Sequence, residues 1–418
     1  MRRTALFVVA VGFLSVASGL PSAQTAPARV VAIGDVHGAL DAFVDILGTA
    51  GLIDADRRWS GGTTTFVQTG DYTDRGRDVR GVMDLLMALQ SQAEASGGRA
   101  IVLLGNHEVM NLVGEQRDVT TEIYNTFADA RSDERRERAW GDYAALAAAR
   151  RKARSDLPDV YAQERDAWMA AHPPGWLEYR EALSPSGLYG TWLRKRPVSA
   201  RVAGTLFMHA GIDPLAADTA VEDVEKRVQM QIERVDRYLR RLVSAKMALP
   251  FFTLQEMLHV AVSEIRAVNA VVDAAKEAGT APDLRNFDID LVREGGEILA
   301  IGDWDLLADT GPLWYRGYAT ASDDTLRAPV AAMLARSGVQ RLVVAHSPLQ
   351  ARRIQARLDG SVLLIDTGML ASTYQGRASA LEIVGDRLTA IYDDGRVPIA
   401  PATSPAIVAR GLAPQQGQ

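Results

Sequence analysis

Residues 99–108 read RAIVLLGNHE: Arg99, an apolar run, then Gly105, Asn106, His107 and Glu108. An unbroken apolar run between polar ends is the signature of a strand buried on both faces. The glycine stops the strand, and polar side chains capable of chemistry follow at once. The same construction occurs twice upstream. Residues 29–35 (RVVAIGD) and 63–71 (TTTFVQTGD) are predicted strands that each end in Gly-Asp. Between them, Leu40, Phe43, Val44 and Leu47 recur at helical spacing, and Val79, Met83 and Leu86 mark a second helix. Strand, helix, strand, helix, strand predicts an α/β layered domain.

Working outward, residues 110–200 contain no convincing strand, and 127–170 is rich in Ala, Arg and Glu, which predicts surface helices. His172-Pro173-Pro174-Gly175 should break them. Residues 205–212 (TLFMHAGI) return to strand character. Val221, Val224, Val228, Ile232, Val235, Leu239 and Leu242 then form a helical stripe. Thr253 and Glu256 read as the capping box of another long helix reaching about Lys276, expected to pair with the first as a hairpin. Strands are expected again at 339–346 and 361–366, followed by a hairpin of 378–384 and 387–393 turning at Gly385-Asp386. One catalytic domain over 29–393 is expected, with helical insertions at about 115–200 and 216–280 and a flexible tail over 394–418.

The N-terminus reads as an address. Arg2 and Arg3 precede an apolar stretch from about Ala5 to Leu20, then Pro21 and small residues, the layout of a secretory signal with a cut near Ala23. The apolar stretch is shorter than the ~20 residues of a spanning helix. The mature chain is therefore expected to be exported, in the periplasm or secreted, without stable membrane association. There is no cysteine, which excludes disulfides, thiolate nucleophiles and zinc–thiolate sites. Net charge is -6, from 46 Lys+Arg and 52 Asp+Glu, so the chain lacks the basic footprint of a nucleic-acid binder. With 47% hydrophobic residues a buried core is expected throughout the domain.

Chemistry gathers at strand ends. Asp35 and His37 lie in GDVHG, Asp71, Asp74 and Arg75 in GDYTDRG, and Asn106 and His107 in GNHE; His209 and His346 end later strands. Ligands of open α/β sheets bind beyond the carboxyl ends of strands, so five loops should converge. Carboxylate, imidazole and amide oxygen suit Mn, Fe, Zn or Co. The ligands are too many for one ion with open positions but fit two, a clamp for displacement at phosphorus. His172 and His259 read as structural, and Gly302-Asp303-Trp304-Asp305 as a turn that imitates the Gly-Asp motifs without a paired histidine.

The ordered set GDVHG, GDYTDRG, GNHE, HAG and a lone late histidine resembles the PPP-type (calcineurin-like) metallophosphoesterases. GNHEVMNLVG at 105–114 and GPLWYRGY at 311–318 are similar to their Shewanella-like protein phosphatase branch. The resemblance implies a sandwich of mixed β-sheets flanked by helices, with two divalent ions, Mn first among the candidates. Asp35 and His37 would bind one ion, Asp71 both, and Asn106, His209 and His346 the other. A hydroxide held between the metals would attack phosphorus in line, with His107 as general acid, Asp74 orienting it and Arg75 gripping the phosphoryl oxygens. Arg316 is a candidate second clamp, and Arg117 and Tyr374 are further candidate substrate contacts.

The implied function is a phosphomonoesterase acting on a phosphorylated protein or peptide, at serine/threonine or tyrosine. Two alternatives stand beside it. One is hydrolysis of a nucleotide or other small phosphate ester, which would need a wall for the base. The other is a non-catalytic phosphate-binding module, which would be expected to lack a ligand or the acid.

Overall fold

Residues 28–153, 163–216 and 220–399 of a computed structural model are described. They form the strands β1 (Arg29–Ile33), β2 (Thr65–Gln68), β3 (Arg99–Val102), β4 (Ser199–Val202), β5 (Thr205–Met208), β6 (Arg341–Val344), β7 (Gln355–Arg357), β8 (Val362–Leu364), β9 (Ala380–Val384), β10 (Arg387–Tyr392) and β11 (Gly395–Pro398). The helices are α1 (Leu40–Thr49), α2 (Val79–Ala95), α3 (Asn106–Val113), α4 (Thr121–Asn125), α5 (Ser132–Ala153), α6 (Arg165–Ala171), α7 (Trp176–Leu183), α8 (Leu188–Leu193), α9 (Val221–Ser244), α10 (Leu254–Glu277), α11 (Ile289–Ile298), α12 (Gly317–Thr320), α13 (Asp323–Arg336) and α14 (Ala371–Tyr374). The predicted signal segment 1–23 lies outside the described residues, among which no helix is long and apolar enough to cross a membrane.

Two mixed sheets form, in the orders β11-β10-β9-β1-β2-β3 and β4-β5-β6-β8-β7. β1, β2 and β3 are parallel, as are β5, β6 and β8. Alternation along the strands makes the sandwich. Val30, Ala32, Val67 and Ile101 of one sheet pack with Phe207, Val343 and Leu363 of the other. The residues between them, Val31, Ile33, Phe66 and Val102, face the helical layer, where Phe43, Leu47, Met83 and Leu86 meet them. Burial on both faces is why these strands read as continuous apolar runs.

The expected α/β sandwich with mixed sheets is therefore what forms. Each ligand-bearing strand is shorter than the sequence suggests. β2 stops at Gln68 because Gly70 (φ 103°) and Asp71 (φ 56°) leave extended geometry. Other expectations need correction. β11 forms within the span expected as tail, pairing Thr389 with Pro398 through Tyr392 with Gly395. The short strands β4 and β7 carry no apolar run to mark them in the sequence. Beyond residue 280, the far bound expected for the second insertion, a further helix, α11, follows. α9 and α10 do not simply pair as a hairpin, because α11 packs against both. Gly295 allows it: a Cβ there would meet Tyr238 Oη of α9 at 2.8 Å and Ala261 of α10 at 3.1 Å. The capping box at Thr253 and Glu256 is present, and α6 and α7 flank the predicted Pro-Pro-Gly break.

Candidate active site

The loops after β1, β2, β3, β5 and β6 meet at one end of the sandwich, and their backbone is unusual. His37, Asp71, Asp74, Arg75 and His346 all have positive φ, between 45° and 67°. Left-handed geometry costs a non-glycine residue about 1–2 kcal/mol, so something must hold it. Glu108 is the main anchor. Its buried carboxylate accepts from the backbone N–H of Asp71 (2.8 Å), Tyr72 (2.9 Å), Thr73 (3.0 Å) and Gly105 (2.8 Å), and from Thr73 Oγ1 (2.8 Å). The N–H groups of Val36 and His37 both donate to Asp71 O at 2.9 Å, joining the first two loops. Gly105 must be glycine, since a Cβ there would collide with the Asp71 carboxylate.

Three histidines present their free nitrogen to a common centre. His37 Nδ1 lies 2.9 Å from Thr73 O, His209 Nδ1 3.1 Å from Thr69 O, and His346 Nε2 3.1 Å from Trp314 O. A carbonyl can only accept, so the proton sits on those nitrogens and the opposite nitrogen of each ring carries a lone pair, which in His37 accepts from Arg75. The free nitrogens converge with oxygens. His209 Nε2 is 2.9 Å from Asn106 Oδ1, 3.1 Å from His346 Nδ1 and 3.3 Å from Asp71 Oδ2. His37 Nε2 is 3.7 Å from Asp71 Oδ2 and 3.9 Å from Asp35 Oδ2. Two tight sets result, His37–Asp71–His107 and Asp71–His209–His346, and they share Asp71. Asp35 stands between them, 3.8 Å from His209 Nδ1 and accepting from His346 N–H at 3.2 Å.

Electrostatics point the same way. Burial, together with the nearby Asp366 and Asp71, pushes the Asp35 carboxyl well above the usual range. Burial also opposes ionisation of Asp71, but His209, His107 and His37 hold its carboxyl well below the ordinary value. Burial depresses His37 to about 3 and His346 to about 2. Lone pairs and carboxylates facing one another with few hydrogens between them are a donor set for cations. Its nitrogen and hard-oxygen composition fits Mn, Fe, Zn or Co, so the residues present suit the metals expected.

His107 differs from the other three. Its Nδ1 faces the Asp74 carboxylate at 2.7 Å rather than a carbonyl. Burial lowers its basicity, but the charges of Asp71 and Asp74 outweigh this and raise its pKa above the ordinary imidazole value. A proton is thus favoured on the ring, whose Nε2 lies 3.9 Å from Asp71 Oδ2.

These groups open into a cavity of about 280 Å³, lined also by Arg75, Arg117, Asp118, Trp314, Arg316 and Tyr374. Arg75 Nη1 donates to His37 Nε2 at 3.1 Å, and its guanidinium lies 5.4 Å from the Tyr374 ring centre. Arg316 Nη1 donates to His346 O at 2.9 Å and to Ser347 Oγ at 3.3 Å, which holds the guanidinium against the loop after β6. Arg117 is more than half exposed at the rim, over Trp314 at 5.8 Å. The Tyr374 hydroxyl is buried without a hydrogen-bond partner. All twelve sequence-predicted residues therefore meet at one place. His172 is buried against Trp168 and His259 is exposed on α10, both away from it, while Asp305 is paired with Arg227 at 2.8 Å.

Sequence reasoning missed four contributors. Asp366, just after β8, is buried beside Asp35 and has an oxygen with no hydrogen-bond partner; another Asp at a strand end was the available signal. Glu108 and Asn111 follow His107 by one residue and by one helical turn. Asp118 lies 3.9 Å from Arg75 Nε and from His107 Nδ1, with no local pattern to mark it.

Comparison with known proteins agrees with this geometry. The calcineurin-like phosphoesterase family matches residues 28–238. An uncharacterized protein of Schizosaccharomyces pombe is 26% identical over 364 residues, 85% of this chain and 77% of the relative. Shewanella-like protein phosphatase 2 of Arabidopsis thaliana is 46% identical over 94 residues, 22% of this chain and 24% of that protein. Shewanella-like protein phosphatase 1 of Plasmodium berghei is 25% identical over 205 residues, 49% and 45% of the two chains. This chain thus spans less than half of either of those phosphatases. Among solved structures, the cold-active protein-tyrosine phosphatase of a psychrophilic Shewanella shares the fold, with TM-score 0.54 and 21% identity over 89% of this chain and 80% of that one. The chain belongs to the calcineurin-like phosphoesterase family, as a metal-dependent enzyme aligned with its Shewanella-like branch.

Proposed function

We propose that this metal-dependent phosphatase hydrolyses phosphomonoesters on protein side chains, using two divalent ions. The observation that carries the reading is the division of labour among the histidines. Three turn a lone pair inward behind a carbonyl-bound N–H, and His107 alone is backed by a carboxylate. Asp35, His37 and Asp71 would hold one ion, and Asp71, Asn106, His209 and His346 the other. When bound, the ions would supply Lewis-acid polarisation and an activated water. Arg75 and Arg316 would take the phosphoryl oxygens with guanidinium N–H groups. The oxygen of water would form the new bond to phosphorus as the ester P–O bond breaks; His107 would give its Nε2 proton to the departing oxygen, and the proton released by the water, passed through solvent, would restore the histidine. An open groove of about 430 Å³ adjoins Arg75, lined by Leu40, Asp41, Thr120, Glu122 and Leu370, and offers room for polypeptide around the ester.

A second reading, a nucleotide or other small phosphate ester, is favoured by Trp314 and Tyr374, aromatic walls on which a base could stack. One experiment separates the two. The purified protein is assayed on a phosphotyrosine peptide, a phosphoserine peptide, a dinucleoside polyphosphate and a phosphodiester, each with Mn and with chelator. Metal-dependent release from one peptide class supports the proposal and chooses the residue. Nucleotide cleavage with inert peptides establishes the second reading. We also propose export of the mature chain, which fractionation and N-terminal sequencing test; a start a few residues either side of Ala23 is expected, and an intact Met1 in the cytoplasm would refute it.

A further inference from the structure

We infer that Tyr179, on α7 of the first helical insertion, is a positioning residue for His107, acting through Asn111 and Asp74. Tyr179 Oη donates to Asn111 Oδ1 at 2.7 Å. Asn111 Nδ2 donates to Asp74 Oδ1 at 2.7 Å and to His107 O at 2.9 Å. Asp74 Oδ2 accepts from His107 Nδ1 at 2.7 Å. Tyr179, Asn111 and Asp74 are fully buried and His107 nearly so, so no solvent competes for these bonds. The direction of the chain is fixed by chemistry. A carboxylate only accepts, so the amide must turn its NH2 to Asp74, leaving its oxygen for the tyrosine hydroxyl. Each Asp74 oxygen then holds one donor, and the carboxylate cannot rotate without breaking a bond.

That restraint matters because Asp74 sits at φ 66° and His107 at the first turn of α3. The far end is held as firmly. The Tyr179 ring meets Tyr124 edge-on (5.4 Å, 82°) and Phe127 edge-on (5.0 Å, 89°). The first helical insertion thereby reaches the proton donor through three consecutive buried hydrogen bonds. Outer partners of metal-ligating histidines typically change function by about 10–100-fold when removed, and a partner that orients a proton-donating histidine is expected to act on the same scale.

The inference rests on His107 as the general acid, and the test keeps the two separable. Tyr179→Phe, Asn111→Ala and His107→Gln are prepared as full chains, loaded with Mn, and assayed on phenyl phosphate and 2,4-dinitrophenyl phosphate. The dinitrophenolate leaves without a proton; the phenolate needs one. Tyr179→Phe keeps the ring and its packing. It should lower kcat on phenyl phosphate by about tenfold and on the dinitrophenyl ester by no more than about twofold, with KM and metal content unchanged. Asn111→Ala should show the same selectivity. Equal loss on both esters in Tyr179→Phe and Asn111→Ala, while His107→Gln remains selective for phenyl phosphate, would overturn the positioning role alone. Equal loss in His107→Gln itself would overturn the acid assignment beneath it.

Discussion

Asp71 Oδ2 faces three imidazoles, at 3.3 Å from His209, 3.7 Å from His37 and 3.9 Å from His107. No other side chain belongs to both tight donor sets among the described residues. Asp71→Asn should therefore lose bound metal and activity together, the latter by at least ~100-fold. Calorimetry should also show a metal-induced rise in Tm for the parent that the variant lacks; a normal metal content in the variant would sink the shared role. Glu108 makes a separate prediction. Its carboxylate is the common acceptor for five buried donors. Glu108→Gln turns an NH2 toward some of them and should cost on the order of 3 kcal/mol in urea unfolding. Residues such as Asp35, Asp71 and Asn106 were legible because an apolar run followed by Gly and a polar group is a local pattern. Tyr179 was not, because its partner Asn111 lies 68 residues away and only tertiary packing brings them together.

At the level of elements, the capping box of α10 and the stripe of α9 declared themselves through spacing, since a helix face is written in gaps of three and four. The packing partner of each was not, because α11 fits only by virtue of what Gly295 lacks. Strands without apolar runs, β4, β7 and β11, were equally illegible; their pairing is backbone chemistry. The helices α6 and α7 carry a pH dependence of their own. His172 stacks on Trp168 (4.0 Å, 17°), meets Trp176 edge-on (4.3 Å, 85°), and gives its Nδ1–H to Trp168 O at 2.7 Å. Burial, with the Arg136 charge adding to it, lowers its pKa to about 4. The unfolded chain takes up this proton near pH 6.5 and the folded chain only near 4, so stability falls as pH drops through that window. The parent should lose on the order of 2–3 kcal/mol more than His172→Gln between pH 7.5 and 4 in urea titrations. Parallel losses in both would show that His172 is not the group responsible.

On the scale of the molecule, the two sheets contribute to the site from their parallel halves. β1, β2 and β3 bring Asp35, Asp71 and Asn106, while β5, β6 and β8 bring His209, His346 and Asp366. The sandwich core behind them, from Val30 and Val67 to Phe207 and Leu363, sets how closely the two groups of loops approach. Side chains far from the chemistry therefore act on it through spacing, and a displacement of about 1 Å is enough to cost ~100-fold in rate. That the loops converge was readable from their shared position at strand ends; how the sheets face each other was not, because the inward and outward residues of a strand buried on both sides look alike.

The pairing of β1 with β9 has a consequence in time. Arg29 through Ala32 bond to Val384 through Leu381, so one of the first strands to be synthesised waits for one of the last. Until residue 380 is available, β1 has an unsatisfied edge of the kind that recruits other chains. A product truncated after Arg377 would keep every candidate catalytic residue, yet lose β9, β10 and β11. It should accumulate as insoluble, inactive protein, which sedimentation and phosphatase assay would reveal; a soluble, active fragment would show that the first sheet closes without them. The edge of the first sheet is thus closed by the last strands of the chain, so its solubility depends on residues that touch none of the chemistry.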